Sequence, residues 1–207
     1  MKHLSSRRWS FLILVLPFFL SGCSALKQLA QMASLTQCQF RLSSVNQVSL
    51  SGIPLQGGTS FSDINPMDLL KLRSSFSTQT LPLEFTVNVE AKNPNSSPAG
   101  MNRMEWILFI DGNRMTSGVL EKQVEIPANG GAGDFPLVMN LNLFEALSGK
   151  TFNSMVNLAL NIAGEGTQPT HVTLQVKPSI MVGDQTLDYP DYITVNHDFG
   201  PTQQASN

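Results

Sequence analysis

Histidines, cysteines and a late group of aspartates are the residues of this 207-residue chain that could do chemistry. Zinc sites use imidazole and thiolate ligands at short fixed spacings. His171 and His197 stand outside any H-E-x-x-H or paired Cys/His spacing, so no zinc site is expected. No G-x-S-x-G segment offers a serine nucleophile. Gly131-Ala132-Gly133 and Gly164-Glu165-Gly166 begin like phosphate-cradling loops. Pro136 and Pro169 then occupy the place of the last glycine in G-x-G-x-x-G, so both read as loop glycines. Asp184, Asp188 and Asp191 could bind calcium weakly, but solvated loop carboxylates explain them better. Nothing selects a catalytic pair of carboxylates. The reading is a chain without enzymatic activity, cofactor or metal.

The two thiols differ in context. Cys23 closes an apolar run. Lys2, Arg7 and Arg8 form a cationic head, Trp9 to Leu20 are almost all large and apolar, and Ser21 and Gly22 are small. Charged head, apolar middle and small residues at a cut site are the layout of a secretory signal. The run of about 12 residues is too short to span a bilayer, which needs roughly 20, and Pro17 would disturb a permanent span. Leu20-Ser21-Gly22-Cys23 resembles the lipobox of bacterial lipoproteins. That resemblance implies cleavage before Cys23 and transfer of a diacylglyceryl group to its thiol, with a further acyl chain on its amine. Several acyl chains anchor far more firmly than one. The residue after the cysteine is Ser24 and not aspartate, which under the family's sorting rule points to the outer membrane. The partner implied is therefore a membrane, reached through an N-terminal lipid.

Removing the first 22 residues leaves 185, enough for one domain with a real core. It also removes three of 13 basic residues and no acidic ones, leaving 10 against 15 and a net charge of −5. The charges are scattered, which argues against nucleic acid as a partner and against broad electrostatic adhesion to anionic headgroups. Cys38 would then be the sole thiol, unable to form an internal disulfide. It alternates with Phe40 and Leu42 and reads as a small buried residue.

Beyond the signal, residues 23–36 read as a helix-compatible tether, 37–200 as one β domain and 201–207 as a polar tail. The clearest strand is 81–92. Leu81, Leu83, Phe85, Val87, Val89 and Ala91 fall on one face, with polar residues and Pro82 on the other. Residues 93–100 are dense in turn formers. A strand over 104–111 follows, then a hairpin at Asp111-Gly112-Asn113. The return strand is expected over 114–124, with a bulge at Gly118. Phe135 to Leu141 marks another strand, as do His171 to Ile180 and Tyr192 to Phe199. Asn65 and Pro66 predict a short helix over 65–72. The spacing of Phe152, Met155, Val156, Ala159, Leu160 and Ala163 predicts a second helix, ended by Gly164, with Asn153, Asn157 and Asn161 on its other face. Short strands in series joined by turns predict an all-β, antiparallel β-sandwich with one or two short helical insertions.

The stretch FTVNVEAKNPNSSPAGMNRMEWILFIDGNRMTSG resembles the core of the late embryogenesis abundant type 2 family, also called the WHy domain. The matching residues are Asn93-Pro94-Asn95, Asp111-Gly112 and Ser117-Gly118, and the likeness is strongest over residues 81–127. The helical segment at 143–163 departs from the plant pattern and looks like that of bacterial lipoprotein members. The resemblance implies an immunoglobulin-like sandwich, no catalytic residues, and an association with stress and sometimes with lipid. Turn chemistry alone also explains each matching residue. Two functions follow as expectations. One is a non-enzymatic envelope module that contacts another envelope component or supports the surface under stress. The other is a carrier or sensor of a lipid or other hydrophobic ligand, with Met67, Leu69, Leu70, Leu72 and the helix at 152–163 roofing a groove.

Overall fold

The computed structural model describes residues 22–55, 61–164, 170–182 and 185–199. In chain order the elements are α1 (Gly22–Leu35), β1 (Gln39–Leu50), β2 (Ile53–Pro54), a 3-10 turn (Phe61–Asp63), α2 (Pro66–Ser77), β3 (Pro82–Asn93), β4 (Ala99–Met101), β5 (Arg103–Ile110), β6 (Asn113–Leu120) and β7 (Val124–Ile126). Then come β8 (Gly131–Asn142), α3 (Leu143–Ala146), α4 (Phe152–Ile162), β9 (Thr170–Val182), β10 (Gln185–Asp188) and β11 (Ile193–Phe199).

The alternation in β3 does what it promised. Leu83, Phe85, Val87, Val89 and Ala91 are buried while Glu84 and Lys92 are exposed. With one face apolar, β3 must lie inside a layered fold. It is a central strand of an antiparallel sheet ordered β2-β1-β3-β8. The facing sheet is β10-β9-β5-β6, with β11 also paired to β9. A two-stranded ribbon, β4 with β7, shares no ladder with either sheet but touches β3, β8 and β9. Leu83, Val87, Leu108, Met139 and Leu174 of the two sheets have no exposed surface. Burying each such side chain is worth about 1.5–3 kcal/mol, so the filling of this layer dominates stability. β6 lies against β8, and β1 against β11, along the two flanks of the sandwich. The fold is the expected all-β antiparallel sandwich.

Both expected helices form for the expected reasons. The Asn65 side chain accepts from the Asp68 amide at 2.9 Å, and Pro66 takes the first helical position. α2 then continues to Ser77, past the expected Leu72, because Phe76 finds Phe144 and Phe152 at 5.4 and 5.5 Å between ring centroids. Thr151 caps α4 by accepting from Ser154 N at 3.3 Å, and Gly164, at φ +85°, follows its end.

Three expectations need correction. The return strand breaks after Leu120, and Val124 belongs to β7, which pairs with β4. Gly118 is not a bulge: it sits in register opposite Trp106, and the irregularity lies between Leu108 and Phe109. The glycine is needed because a Cβ there would approach Cζ2 of Trp106 to 2.3 Å. Finally, residues 23–36, expected as a helix-compatible tether, are docked on the domain. They form most of α1, whose Met32 and Leu35 are buried and which packs on β4 and β9.

Candidate functional site

Asn93 ends β3 and is fully buried. A buried amide must be bonded or it costs free energy. Its Nδ2 donates to Ser97 O at 3.0 Å and to Ile126 O at 3.2 Å. Its Oδ1 accepts from the Asn95 backbone at 3.0 Å and from Asn95 Nδ2 at 2.8 Å. Gly130 N donates to Asn93 O, and Asn129 N to Asn95 O. Asn93-Pro94-Asn95 therefore joins the end of β3 to the β7–β8 turn. With every polar group of Asn93 satisfied, it offers nothing to a ligand.

Asn95 carries the motif outward. Its Nδ2 donates at 2.9 Å to Ser34 O, in the last turn of α1. The Cys38 thiol donates to the same carbonyl at 3.5 Å. One turn earlier, Gln31 Nε2 donates to Glu125 Oε2 on β7 at 3.1 Å. Gly100 on β4 is required by the neighbouring strand: a Cβ there would meet Val124 O at 2.8 Å, while the Gln31 side chain of the helix lies at ordinary contact distance, 3.6 Å. The motif and the N-terminal helix thus form one assembly. Sequence reading missed it, although the spacing of Gln28, Gln31, Met32 and Leu35 was available as a signal.

Asp111 (φ +48°) and Gly112 (φ +77°) make the β5–β6 hairpin with two consecutive left-handed residues, as a type I′ turn requires. Asp111 also accepts from His171 N at 3.1 Å. Ser117 accepts from Arg114 on an exposed edge. His171 Nδ1 lies 2.6 Å from Asp198 Oδ1, a cross-strand pair in register between β9 and β11. Both side chains are more than half exposed. Asp188 accepts from Ser179 at 2.7 Å, while Asp184 lies outside the described residues. Among the described residues no group of three His, Cys, Asp or Glu could hold a metal ion.

Of the lipobox residues, Leu20 and Ser21 lie outside the described residues, and Gly22 and Cys23 begin α1. No described helix is long and apolar enough to cross a membrane. Of the expected roof, Leu72, Met155, Val156, Ala159 and Leu160 are filled into the core, while Met67 and Leu70 are 75% and 62% exposed. Between α2 and α4 lies an open cleft of about 400 Å³, lined by Arg73, Phe76, Ser77, Phe152 and Asn153. The Arg73 guanidinium stands 5.9 Å over the Phe152 ring.

Among the described residues, charge is perturbed at a few local contacts. A bidentate bond from Arg41 holds the Glu90 carboxyl below its usual range and raises the guanidinium. Glu105 and Glu121 raise Arg103 in the same way. Burial pushes the Cys38 thiol up, which makes it a poorer nucleophile.

No family model matches the chain, and no curated protein matches it. Solved structures do. One is a crystal structure of an Archaeoglobus fulgidus protein, at 13% identity and TM-score 0.34, covering 75% of this chain and 96% of that one. Another is an Arabidopsis thaliana protein solved in solution, at 13% identity and TM-score 0.32, covering 59% and 74%. A third is a solution structure described as a candidate late embryogenesis abundant protein, at 14% identity and TM-score 0.33, covering 95% and 94%. No residue role is taken from these distant likenesses.

Proposed function

We propose that this chain is a non-enzymatic, lipid-anchored module of the bacterial cell envelope, held at the outer membrane by acyl chains on Cys23. Its sandwich contacts another envelope component or protects the surface under stress. The observation that carries this reading is Leu20-Ser21-Gly22-Cys23 behind a cationic head and a short apolar run. The docking of α1 supports it. Position 23 opens a helix whose far end is bonded to the sandwich, so anchor and domain would move together. From position 23 to buried Met32 the helix rises about 14 Å, which would hold the domain close to the bilayer. The stress role rests on the resemblance of residues 81–127 to the late embryogenesis abundant type 2 core. Intact mass of the mature protein tests the anchor: a free Cys23 or an uncut chain overturns it. Crosslinking in whole envelopes tests the contact, with a reproducible partner expected; none recovered counts against it.

A second reading, carriage of a hydrophobic ligand, is favoured by the cleft beside Phe76 and Phe152, where Arg73 could pair with an acidic headgroup. Native mass spectrometry of the purified protein decides it. Co-purified lipid lost in Phe152→Asp supports carriage, and a ligand-free mass removes it.

A further inference from the structure

Helix α1 carries apolar residues on its outer side as well as on its inner side. A helix resting on a core ordinarily turns leucines inward and polar residues outward. Here Gln28 and Gln31 are half-buried against the sandwich beside Met32 and Leu35. The outward stripe is apolar: Leu26 is 69% exposed and Leu29 37%, with Ala30 and Ala33 also exposed. The helix contains no acidic residue, and its one charge is Lys27. Exposed single leucines are ordinary. A continuous stripe on a helix whose protein side is partly polar calls for an apolar environment outside.

Position identifies that environment. Leu26 follows Cys23 by three residues, one helical turn and about 4.5 Å of rise. Acyl chains on Cys23 would bring a bilayer surface to within that distance of the stripe. We propose that the outward face of α1 seats in the lipid interface next to the anchor, with Leu26 and Leu29 in the acyl boundary and Lys27 reaching the headgroups. This rests on the lipid anchor proposed at Cys23 and adds an orientation to it. The sandwich stands on α1 in a fixed attitude and does not swing on a tether. The acidic net charge of the remainder does not oppose this, because the contact is apolar and its own face carries no carboxylate. Helices that lie in the interface sink their apolar side roughly 5–10 Å.

Tryptophan scanning of the full chain tests the seat. The protein would be processed in a Gram-negative envelope and reconstituted in vesicles of phosphatidylethanolamine and phosphatidylglycerol doped with brominated phosphatidylcholine. Trp106 is only 7% exposed and gives a constant background. Leu26→Trp and Leu29→Trp should emit at shorter wavelength and lose part of their added emission to the brominated chains, because an interfacial helix places its apolar face at the acyl boundary. Val138→Trp, at a position 72% exposed on the outer face of β8, should not be quenched. An acylated protein that floats with the vesicles while both α1 tryptophans stay unquenched overturns the seat alone. A blue shift without quenching, together with a doubled mass in light scattering, assigns the stripe to a second copy and also overturns it. A protein lacking acyl mass overturns the anchor and the seat together.

Discussion

Helix α4 turns Met155, Val156, Ala159 and Leu160 into the sandwich and leaves Asn153 and Asn157 exposed. Helix α1 turns Gln28, Gln31, Met32 and Leu35 toward it and leaves Leu26, Leu29, Ala30 and Ala33 outside. The two elements are of similar length, yet different forces hold them. Apolar burial fixes α4 as part of the core. α1 has two buried apolar residues and a few hydrogen bonds. A helix held that way opens at a lower free energy than the domain unfolds. The difference teaches that α1 is attached to the fold more than it is required by it, as suits an element facing two environments.

The contrast can be broken at its strong end first. Leu160→Ala should lower global stability by about 2–5 kcal/mol, seen as a lower urea midpoint with an unchanged slope. A loss below about 1 kcal/mol would mean that α4 is not core. Asn93→Ala is next. It leaves the carbonyls of Ser97 and Ile126 short of a donor and should cost about 1–3 kcal/mol in the same measurement.

Asn95→Ala acts on α1 and on the Asn93 junction, because Asn95 Nδ2 also donates to Asn93 Oδ1. It removes the bond to Ser34 and should weaken docking by about 0.5–1.5 kcal/mol, read as faster amide exchange over residues 28–35 with α4 unchanged. Equal acceleration in both helices would erase the distinction between them. Cys38 offers a second reporter of the same event. Its buried thiol should react slowly with maleimide in the wild type and faster in Asn95→Ala, and rapid wild-type labelling would contradict the burial.

The smallest effect belongs to Arg41 and Glu90, an exposed cross-strand pair. The Glu90 pKa is lowered in the fold, so the pair's contribution is present above the ordinary carboxylate range. It is lost as pH falls through the lowered value. Glu90→Gln should therefore be slightly less stable than wild type at neutral pH and indistinguishable at pH about 2. A difference that grows on acidification would reverse the assignment.

How far these regions could be read from the chain differs as sharply as what holds them. The inward positions of β3, β5 and β8 follow from period two, because a half-buried strand permits no other placement of its apolar residues. The caps at Asn65 and Thr151 are local as well: each bonds an amide three residues ahead in its own chain. Gly118 was harder. A strand glycine suggests a bulge, but the real requirement comes from the Trp106 ring on the neighbouring strand. Asn93-Pro94-Asn95 read as a turn, and it is one. Its bonds to Ile126 and Ser34 span 33 and 61 residues and leave no trace in the local pattern.

The alternating strands, the helix caps, the two-residue hairpin at Asp111-Gly112 and the likeness of Leu20–Cys23 to a lipobox are all legible along the chain. All of these depend on neighbours a few residues away. The docking of residues 22–35 on β4 and β9, the junction organised by a buried asparagine and the outward leucines of α1 emerge from packing in three dimensions. Those outcomes depend on which distant surfaces meet. A helix of mixed glutamine, alanine and leucine has two plausible faces until a partner surface selects one.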